Sequence, residues 1–331
     1  MDYEYDLDYT DGQDEHGSTY YYGELSTQYL KIDGISRHLI SALTGLFSLF
    51  YLSSSGTYYI VFLLFLSYSS LFFTTHYKCR KYRSIVLILI LLCYLFACEL
   101  WLVDLKQWHK IRGLQMIIIM KSISLAFDLD TGKVKALPNP IYYAGYIMCP
   151  SSCIFGPWIP YNQYNLQSNE DWSLKSLGKI CLKLVLAFIF LTISTCWDAL
   201  SFRTSHYFIS YLSEVTLLLS GHSTSMFTGV TKPAFVEFPR SLVNVVIYWN
   251  IPMHNWLKTY IFNTSKRFGN FIALLATYAA SSLLHGISFQ LSAVLLSLGV
   301  YSYVEFMLRK RLSTVFNACV LVLPLITYYI D

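Results

Sequence analysis

The chain has 331 residues, of which 55% are hydrophobic and 13% are charged, and its formal net charge at pH 7 is +4. Soluble globular domains carry about 25% charged residues, so this composition excludes an ordinary soluble enzyme and predicts a polytopic membrane protein. The charge is small and no pattern of interleaved aromatic and basic residues occurs, which disfavours a nucleic-acid partner.

The first segment of the chain differs in composition from the rest. Seven of the twenty acidic residues precede Gly17, among tyrosines and glycines without a helical apolar period. Such a segment has too little apolar surface to bury, so residues 1–30 are predicted to be a flexible acidic tail. Residues 31–331 are then predicted to form one transmembrane domain.

Apolar runs near the ~20 residues that a helix needs to cross a membrane follow one another along this domain. The clear ones cover 36–54, 57–75, 84–104, 177–197, 270–289 and 290–307, with a possible span over 206–220 and a last run over 314–330 after the basic residues 309–311. The pattern predicts an all-α protein with about eight to ten transmembrane helices. Glu214 lies inside the possible span and is either a pathway residue or a carboxylate paired with a neighbouring helix.

Three stretches do not fit a plain helix bundle. Residues 114–127 are too short and too polar for a lipid-facing span, and are expected to form a re-entrant or protein-buried helix. Five prolines interrupt the segment 138–160, and polar residues interrupt 241–256. Non-helical backbone at membrane depth survives only where protein or a cavity covers it, so broken segments are predicted inside the domain.

The eight cysteines lie mostly in apolar runs, where a thiol acts as a small hydrophobic group. Cys149 and Cys153 are four residues apart, but no second pair of cysteines or histidines accompanies them. We therefore expect no metal site and no permanently bound cofactor.

His285 is the most informative polar residue. Between Phe271 and Tyr303 it is the only ionisable group apart from tyrosines. It is either a packing histidine that is hydrogen-bonded to Ser281, Ser282 or Ser288, or a functional group: a general base, a proton relay or, with least support, a haem or metal ligand. A neutral imidazole can take a proton from an alcohol and return it to a leaving group, as acyl transfer requires.

Three other residues are candidates for the same site. Gly286 lacks a side chain and so allows a backbone or a substrate to approach closely. Asn250 offers an amide that could orient a nucleophile or donate to a developing oxyanion, and its alternative role is to cap the broken helix before Pro252. Trp249 either lines a tunnel or belongs to an interfacial aromatic belt.

Several motifs resemble those of the membrane-bound O-acyltransferase (MBOAT) family, over about 200 residues from 110 to 312. They are Arg112-Gly-Leu-Gln-Met-Ile117, Ser124-Leu-Ala-Phe-Asp-Leu-Asp130, Phe155-Gly-Pro-Trp-Ile159, Pro239-Arg-Ser-Leu-Val243, Trp249-Asn-Ile-Pro-Met253, Trp256-Leu257, Tyr278-Ala-Ala-Ser-Ser-Leu-Leu-His-Gly286, Tyr303-Val-Glu305 and Leu308-Arg-Lys-Arg-Leu312. The motifs are long and occur in order, which makes the resemblance specific.

The resemblance implies a multi-pass enzyme of the endoplasmic reticulum membrane that acts in the Wnt signalling pathway. It implies transfer of palmitoleoyl from palmitoleoyl-CoA, the acyl donor substrate, to a serine hydroxyl of Wnt proteins. By the family pattern, His285 and Asn250 are the catalytic residues, and Trp249, Ser282 and Gly286 are expected to bind substrate.

The polar residues of the sequence are also compared with the requirements of two other functions. A non-catalytic polytopic protein that binds Wnt or lipid would use the same tunnel without chemistry. A proton-coupled transporter would need paired intramembrane carboxylates or inverted repeats, and apart from Glu214 and Glu305 the sequence offers neither.

Overall fold

The computed structural model describes residues 34–77, 82–154, 156–165, 174–221, 229–287 and 289–328, and their side chains, except that of Ala199, up to Leu312. All regular secondary structure in these residues is helical, which confirms the all-α prediction. The acidic segment 1–30 lies outside the described residues, so its flexibility stays a prediction.

The helices follow one another along the chain with short connections. They are α1 (Gly34–Leu52), α2 (Thr57–His76), α3 (Arg83–Ala97, extended by a π-helical turn over Cys98–Leu102), α4 (Leu105–Asp130), α5 (Pro140–Ile147), α6 (Pro150–Cys153), α7 (Tyr161–Asn165), α8 (Leu174–Cys196), α9 (Asp198–Leu219), α10 (Pro233–Glu237), α11 (Leu242–Trp249), α12 (Ile251–Trp256, extended by a π-helical turn over Leu257–Phe262), α13 (Asn263–Ser265, followed by a 3₁₀ turn over Lys266–Phe268), α14 (Asn270–Leu284) and α15 (Phe289–Tyr328).

Five helices in the described part of the chain are long and apolar enough to cross a membrane. They are α1, α2, α3 with its π-helical turn, α8, and the first part of α15 (Phe289–Leu312). They coincide with five of the predicted apolar runs, because the length of an apolar run sets the length of a spanning helix. The total of eight to ten crossings stays a prediction.

Helix α4 is the centre of the fold. Every residue from Ile118 to Ala126 is buried, so this part of the helix is covered by protein on all sides. The prediction of a protein-buried helix over 114–127 is confirmed, although the helix is longer and starts at Leu105. Polar residues such as Gln115 and Lys121 are tolerated in it because protein groups, and not lipid, surround them.

Lys121 connects α4 to the broken segment 138–160. Its side chain is fully buried, and Nζ donates to Tyr146 O (2.8 Å), Ile147 O (3.2 Å) and Ser152 Oγ (2.8 Å). The two carbonyls are at the end of α5, where a helix carries partial negative charge. The predicted irregular backbone is therefore covered by protein, as such backbone must be at membrane depth.

Indole and hydroxyl groups from distant parts of the chain also form hydrogen bonds to α4. Trp158 Nε1 donates to Ser124 Oγ (3.1 Å), and Trp256 Nε1 donates to Met120 O (3.0 Å). Tyr260 donates its hydroxyl to the Asp128 carboxylate. Because a buried N–H or O–H needs a partner, these bonds hold the segments that carry the sequence motifs against one helix.

The last long helix differs from the prediction. Two apolar runs separated by basic residues 309–311 were expected, but α15 is one helix through that cluster. Within it, Arg309 is paired with Glu305 one turn earlier (2.8 Å) and donates to Arg240 O (2.7 Å), so its charge does not interrupt the helix. Glu305 also accepts the N–H of Leu242 at the start of α11 (2.9 Å).

Glu214 on α9 is paired with a neighbouring helix. Its buried carboxylate lies 2.7 Å from Lys183 Nζ on α8 and accepts the N–H of Val230 (2.7 Å). The second of the two sequence interpretations is therefore the observed one. Glu305 is also bonded to protein, so neither carboxylate of the transporter hypothesis is without a partner.

Replacing Glu214 with glutamine is expected to lower the free energy of unfolding by about 1–3 kcal/mol, because the charge on Lys183 loses its partner while Oε1 can still accept from Val230 N. Thermal unfolding in detergent measures this change. Arg203→Gln is the matched control, since it breaks a partly exposed ion pair with Glu237 (3.0 Å) and should cost less than about 1 kcal/mol. An equal effect of both variants would contradict the structural role of Glu214.

Candidate active site

His285 is at the end of α14 and not inside a longer helix. Its backbone N–H bonds to the carbonyls of Ser281 (3.2 Å) and Ser282 (3.1 Å), and the next residue, Gly286, has a φ of +89°. A glycine in the left-handed region is the usual way to end a helix, because a Cβ would be strained there. The half-buried imidazole therefore sits where the chain leaves the helix.

Ser282, one of the three serines considered as partners of His285, is bonded elsewhere. Ser282 Oγ donates to Ser292 Oγ on α15 (2.6 Å), which joins the two helices on either side of His285. Ser281 contributes its backbone carbonyl, and Ser288 lies outside the described residues. Among the described residues, no side chain is hydrogen-bonded to the imidazole. The role of Ser282 in binding substrate stays a prediction.

Gly286 is closely approached, as its sequence suggested, and the approaching group is a carboxylate. A Cβ added to Gly286 would lie 2.8 Å from Oε1 of Glu99, in the π-helical turn of α3. Both Glu99 oxygens are 2.9 Å from the backbone nitrogen of Ile287. Sequence reasoning missed Glu99, although an acidic residue in an apolar run is itself a signal.

A second charged group acts on His285 from α4. Arg112, in the first of the family motifs, is close enough for its positive charge to interact with the imidazole. The same helix holds Gln115, whose Nε2 donates to Cys98 Sγ (3.6 Å) beside Glu99. Polar side chains of α3 and α4 therefore lie near the end of α14.

Asn250 interrupts the chain between α11 and α12. Its backbone is extended (φ −148°, ψ 87°), and its Oδ1 accepts the N–H of Met253 (3.1 Å), so it caps α12, which has Pro252 in its first turn. The capping role considered from the sequence is present. Since the cap uses Oδ1, the NH₂ group of Asn250 stays available as a donor.

Trp249, directly before the break, is stacked on His206 of α9. The two rings are 4.1 Å apart between centroids and 4° from parallel, and His206 Nε2 bonds to the carbonyl oxygen of Trp249 (2.9 Å). Phe202 adds a second ring contact at 6.0 Å. Nothing in the local sequence indicated the role of His206, and the part of Trp249 in binding substrate stays a prediction.

The predicted residues lie on two segments. Trp249 and Asn250 are where α11 ends and α12 begins, and Ser282, His285 and Gly286 are at the end of α14. The turn Leu257–Phe262, which continues α12, packs against α14, and α11 packs against α15. No hydrogen bond joins His285 to Asn250 or Trp249 in the part of the chain that the structure describes. The catalytic roles of His285 and Asn250, and the place of a substrate beside them, stay predictions.

The described residues also contain a cavity away from this site. A cavity of about 520 Å³ lies among α1, α6 and α9, and its lining contains none of the predicted site residues. No group of three histidine, cysteine, aspartate or glutamate side chains in these residues could hold a metal ion.

Comparison with known proteins agrees with the motifs. A model of the membrane-bound O-acyltransferase family matches residues 214–317, a range that includes Asn250 and His285. The protein-serine O-palmitoleoyltransferase porcupine of Homo sapiens is 39% identical over 86% of this chain and 71% of its own length. The protein of the same name from Anopheles gambiae is 36% identical over 87% of this chain and 68% of its own length.

A more distant relative has a different name. Lysophospholipid acyltransferase 2 of Arabidopsis thaliana is 24% identical over 76% of this chain and 69% of its own length. The identity to the porcupine proteins is higher and covers more of the chain. This chain therefore belongs to the membrane-bound O-acyltransferase family of multi-pass membrane proteins, and within it to the porcupine group.

Proposed function

We propose that this protein transfers palmitoleoyl from palmitoleoyl-CoA to a serine hydroxyl of Wnt proteins, in the endoplasmic reticulum membrane, and that Wnt secretion and signalling depend on this transfer. The observation that carries the proposal is the 39% identity to human protein-serine O-palmitoleoyltransferase porcupine over 86% of the chain. The position of the half-buried His285 at the end of α14, where Glu99 of α3 holds the following backbone, supports it.

His285 is the base in this proposal. The imidazole accepts the proton of the serine hydroxyl, and the serine oxygen attacks the carbonyl carbon of the thioester. A tetrahedral intermediate forms and collapses, the bond between the carbonyl carbon and sulfur breaks, and the proton passes from the imidazolium to the sulfur of coenzyme A. The products are the serine ester and free coenzyme A, and the enzyme returns to its starting state.

Asn250 stabilises the negative charge of that intermediate. Its Oδ1 is engaged by Met253 N, so the amide plane is held in one orientation and the NH₂ group points away from the cap. An oriented donor of this kind stabilises a developing oxyanion without reorganisation during the reaction. Trp249, Ser282 and Gly286 contribute to the walls along which the acyl chain and the acceptor approach.

The test is a transfer assay with the full chain, purified in detergent. An alkyne-tagged palmitoleoyl-CoA is the donor, and a Wnt-derived peptide with the acceptor serine is compared with the same peptide carrying alanine. Label is expected on the serine peptide alone. A lysophospholipid is offered as acceptor in a parallel reaction, and if folded protein labels it and neither peptide, the proposed acceptor is wrong. If it labels nothing, a non-catalytic role in binding Wnt or lipid replaces the proposal.

A further inference from the structure

Glu99 is an unusual residue for its position. From Ser84 to Leu102 it is the only charged side chain, in a stretch whose other residues are apolar or weakly polar. It lies in the π-helical turn Cys98–Leu102, which the bond from Val103 N to Cys98 O closes (3.1 Å). A π-helical turn inserts a residue into a helix and redirects the side chains, and such turns are frequent at functional sites. A carboxylate in a membrane-spanning helix is costly unless a partner compensates it.

The partner of Glu99 is the backbone that leaves His285. Both carboxylate oxygens are 2.9 Å from Ile287 N, 188 residues away in the chain. The carboxylate also fills the space where Gly286 has no Cβ, at 2.8–3.1 Å from the position that a Cβ would take. Glycine at position 286 is thus required twice, by its φ of +89° and by this contact.

The geometry of that turn decides where the imidazole points. His285 ends α14, so the helix holds its backbone on one side only, and on the other side the chain direction depends on Gly286 and Ile287. Glu99 holds the N–H of Ile287 and is not hydrogen-bonded to the imidazole. It therefore acts on His285 through the backbone.

We propose that Glu99 is a positioning residue for His285: its carboxylate holds the left-handed turn at Gly286–Ile287 and so fixes the imidazole in the orientation that acyl transfer needs. This inference rests on the proposed role of His285 as the base. A misplacement of about 1 Å in a catalytic group can cost on the order of 10²-fold in rate, so a single backbone bond is enough to matter.

The first experiment compares Glu99→Ala with Glu99→Gln in the transfer assay, per mole of folded protein. Glu99→Ala is expected to lower kcat on the order of 10²-fold with little change in KM for either substrate. Glu99→Gln keeps one acceptor oxygen, and should keep much of the wild-type kcat and an unchanged pH profile. A kcat for Glu99→Ala equal to that of wild type would overturn the proposal. A loss with Glu99→Gln as large as with Glu99→Ala would show that the charge acts in the chemistry and would also overturn it.

The matched control is a carboxylate of α4 that holds the other end of α3. Asp130 Oδ2 accepts the N–H of Ser84 at the start of α3 (3.2 Å), and Asp130 Oδ1 lies 3.5 Å from Arg83 Nε, so Asp130→Ala also removes a carboxylate that holds one end of α3. It should lower stability without lowering kcat per folded molecule. If Asp130→Ala lowers kcat as much as Glu99→Ala does, the effect is one of general helix packing and the positioning role is wrong.

A second measurement does not depend on transfer activity. The rate of His285 modification by diethyl pyrocarbonate, followed by mass spectrometry, reports how the imidazole is presented, and exposed His76 serves as the internal reference. The rate at His285 is expected to change in Glu99→Ala and not in Glu99→Gln. Unchanged rates in both variants would contradict the positioning role. If wild type transfers nothing but this pattern is seen, the proposed function fails and the positioning of His285 stands.

Discussion

Replacing His285 with alanine is expected to lower the rate of acyl transfer by on the order of 10²- to 10⁴-fold, which is the usual contribution of a general acid–base. Without the imidazole, no group at the end of α14 takes the serine proton as the thioester is attacked. The amount of folded protein should change little, since no described side chain is hydrogen-bonded to the imidazole and the backbone bonds of His285 do not need its side chain.

The measurement is the rate of peptide labelling at saturating donor, with thermal unfolding as the check on folding. His76→Ala is the matched control, because it removes an exposed histidine at the end of α2. It should leave the rate unchanged. Equal labelling by wild type and His285→Ala would leave the enzyme activity in place but remove His285 as its base.

Replacing Lys121 with methionine is expected to lower the free energy of unfolding by about 3 kcal/mol, because three buried acceptors lose their donor at about 1–3 kcal/mol each and relief of the buried charge offsets part of that loss. The local sequence offers no backbone N–H that could replace the Lys121 donor at Tyr146. In a continuing helix the carbonyl of Tyr146 would accept from the N–H of residue 150, and Pro150 has no N–H. The broken segment should therefore separate from α4 first.

Thermal or denaturant unfolding in detergent measures this effect, with Lys135→Met as the control. Lys135 is exposed and lies on the connection after α4, so the same substitution there should change stability by less than about 0.5 kcal/mol. If Lys121→Met is as stable as wild type, the three bonds contribute nothing net and methionine is the better residue at that buried position.

The parts of the fold that the sequence predicted well depend on local properties. The bounds of α1 and α2 are within two residues of the predicted apolar runs at 36–54 and 57–75 at their starts and ends, because hydrophobic length alone sets them. The broken segment 138–160 was predicted from its prolines for a similarly local reason. By contrast, the continuation of α15 through residues 309–311 was missed, since Arg309 is neutralised by Glu305 and by a carbonyl of another segment.

In the candidate site too, the sequence indicated the residues that are unusual in their local context and missed those that depend on distant partners. His285 and Asn250 were found from the sequence because an imidazole in an apolar run and an amide at a helix break are unusual in themselves. Glu99 and His206 were missed because their importance comes from partners 188 and 43 residues away. Lys121 was visible as a charge in an apolar stretch, but its three acceptors belong to the backbone and side chain of another segment.

The sequence by itself determined that this protein is a helical membrane protein, which family its motifs belong to, and which imidazole is the candidate base. Those properties follow from apolar length, from turn residues and from the rarity of charge in lipid, all of which act over short stretches of chain. Only the tertiary structure decided that α4 is the buried centre, that Glu214 is paired with Lys183, and that Glu99 holds the turn after His285. Each of these depends on a hydrogen bond or ion pair between helices, and such a bond exists only once packing has brought distant segments together.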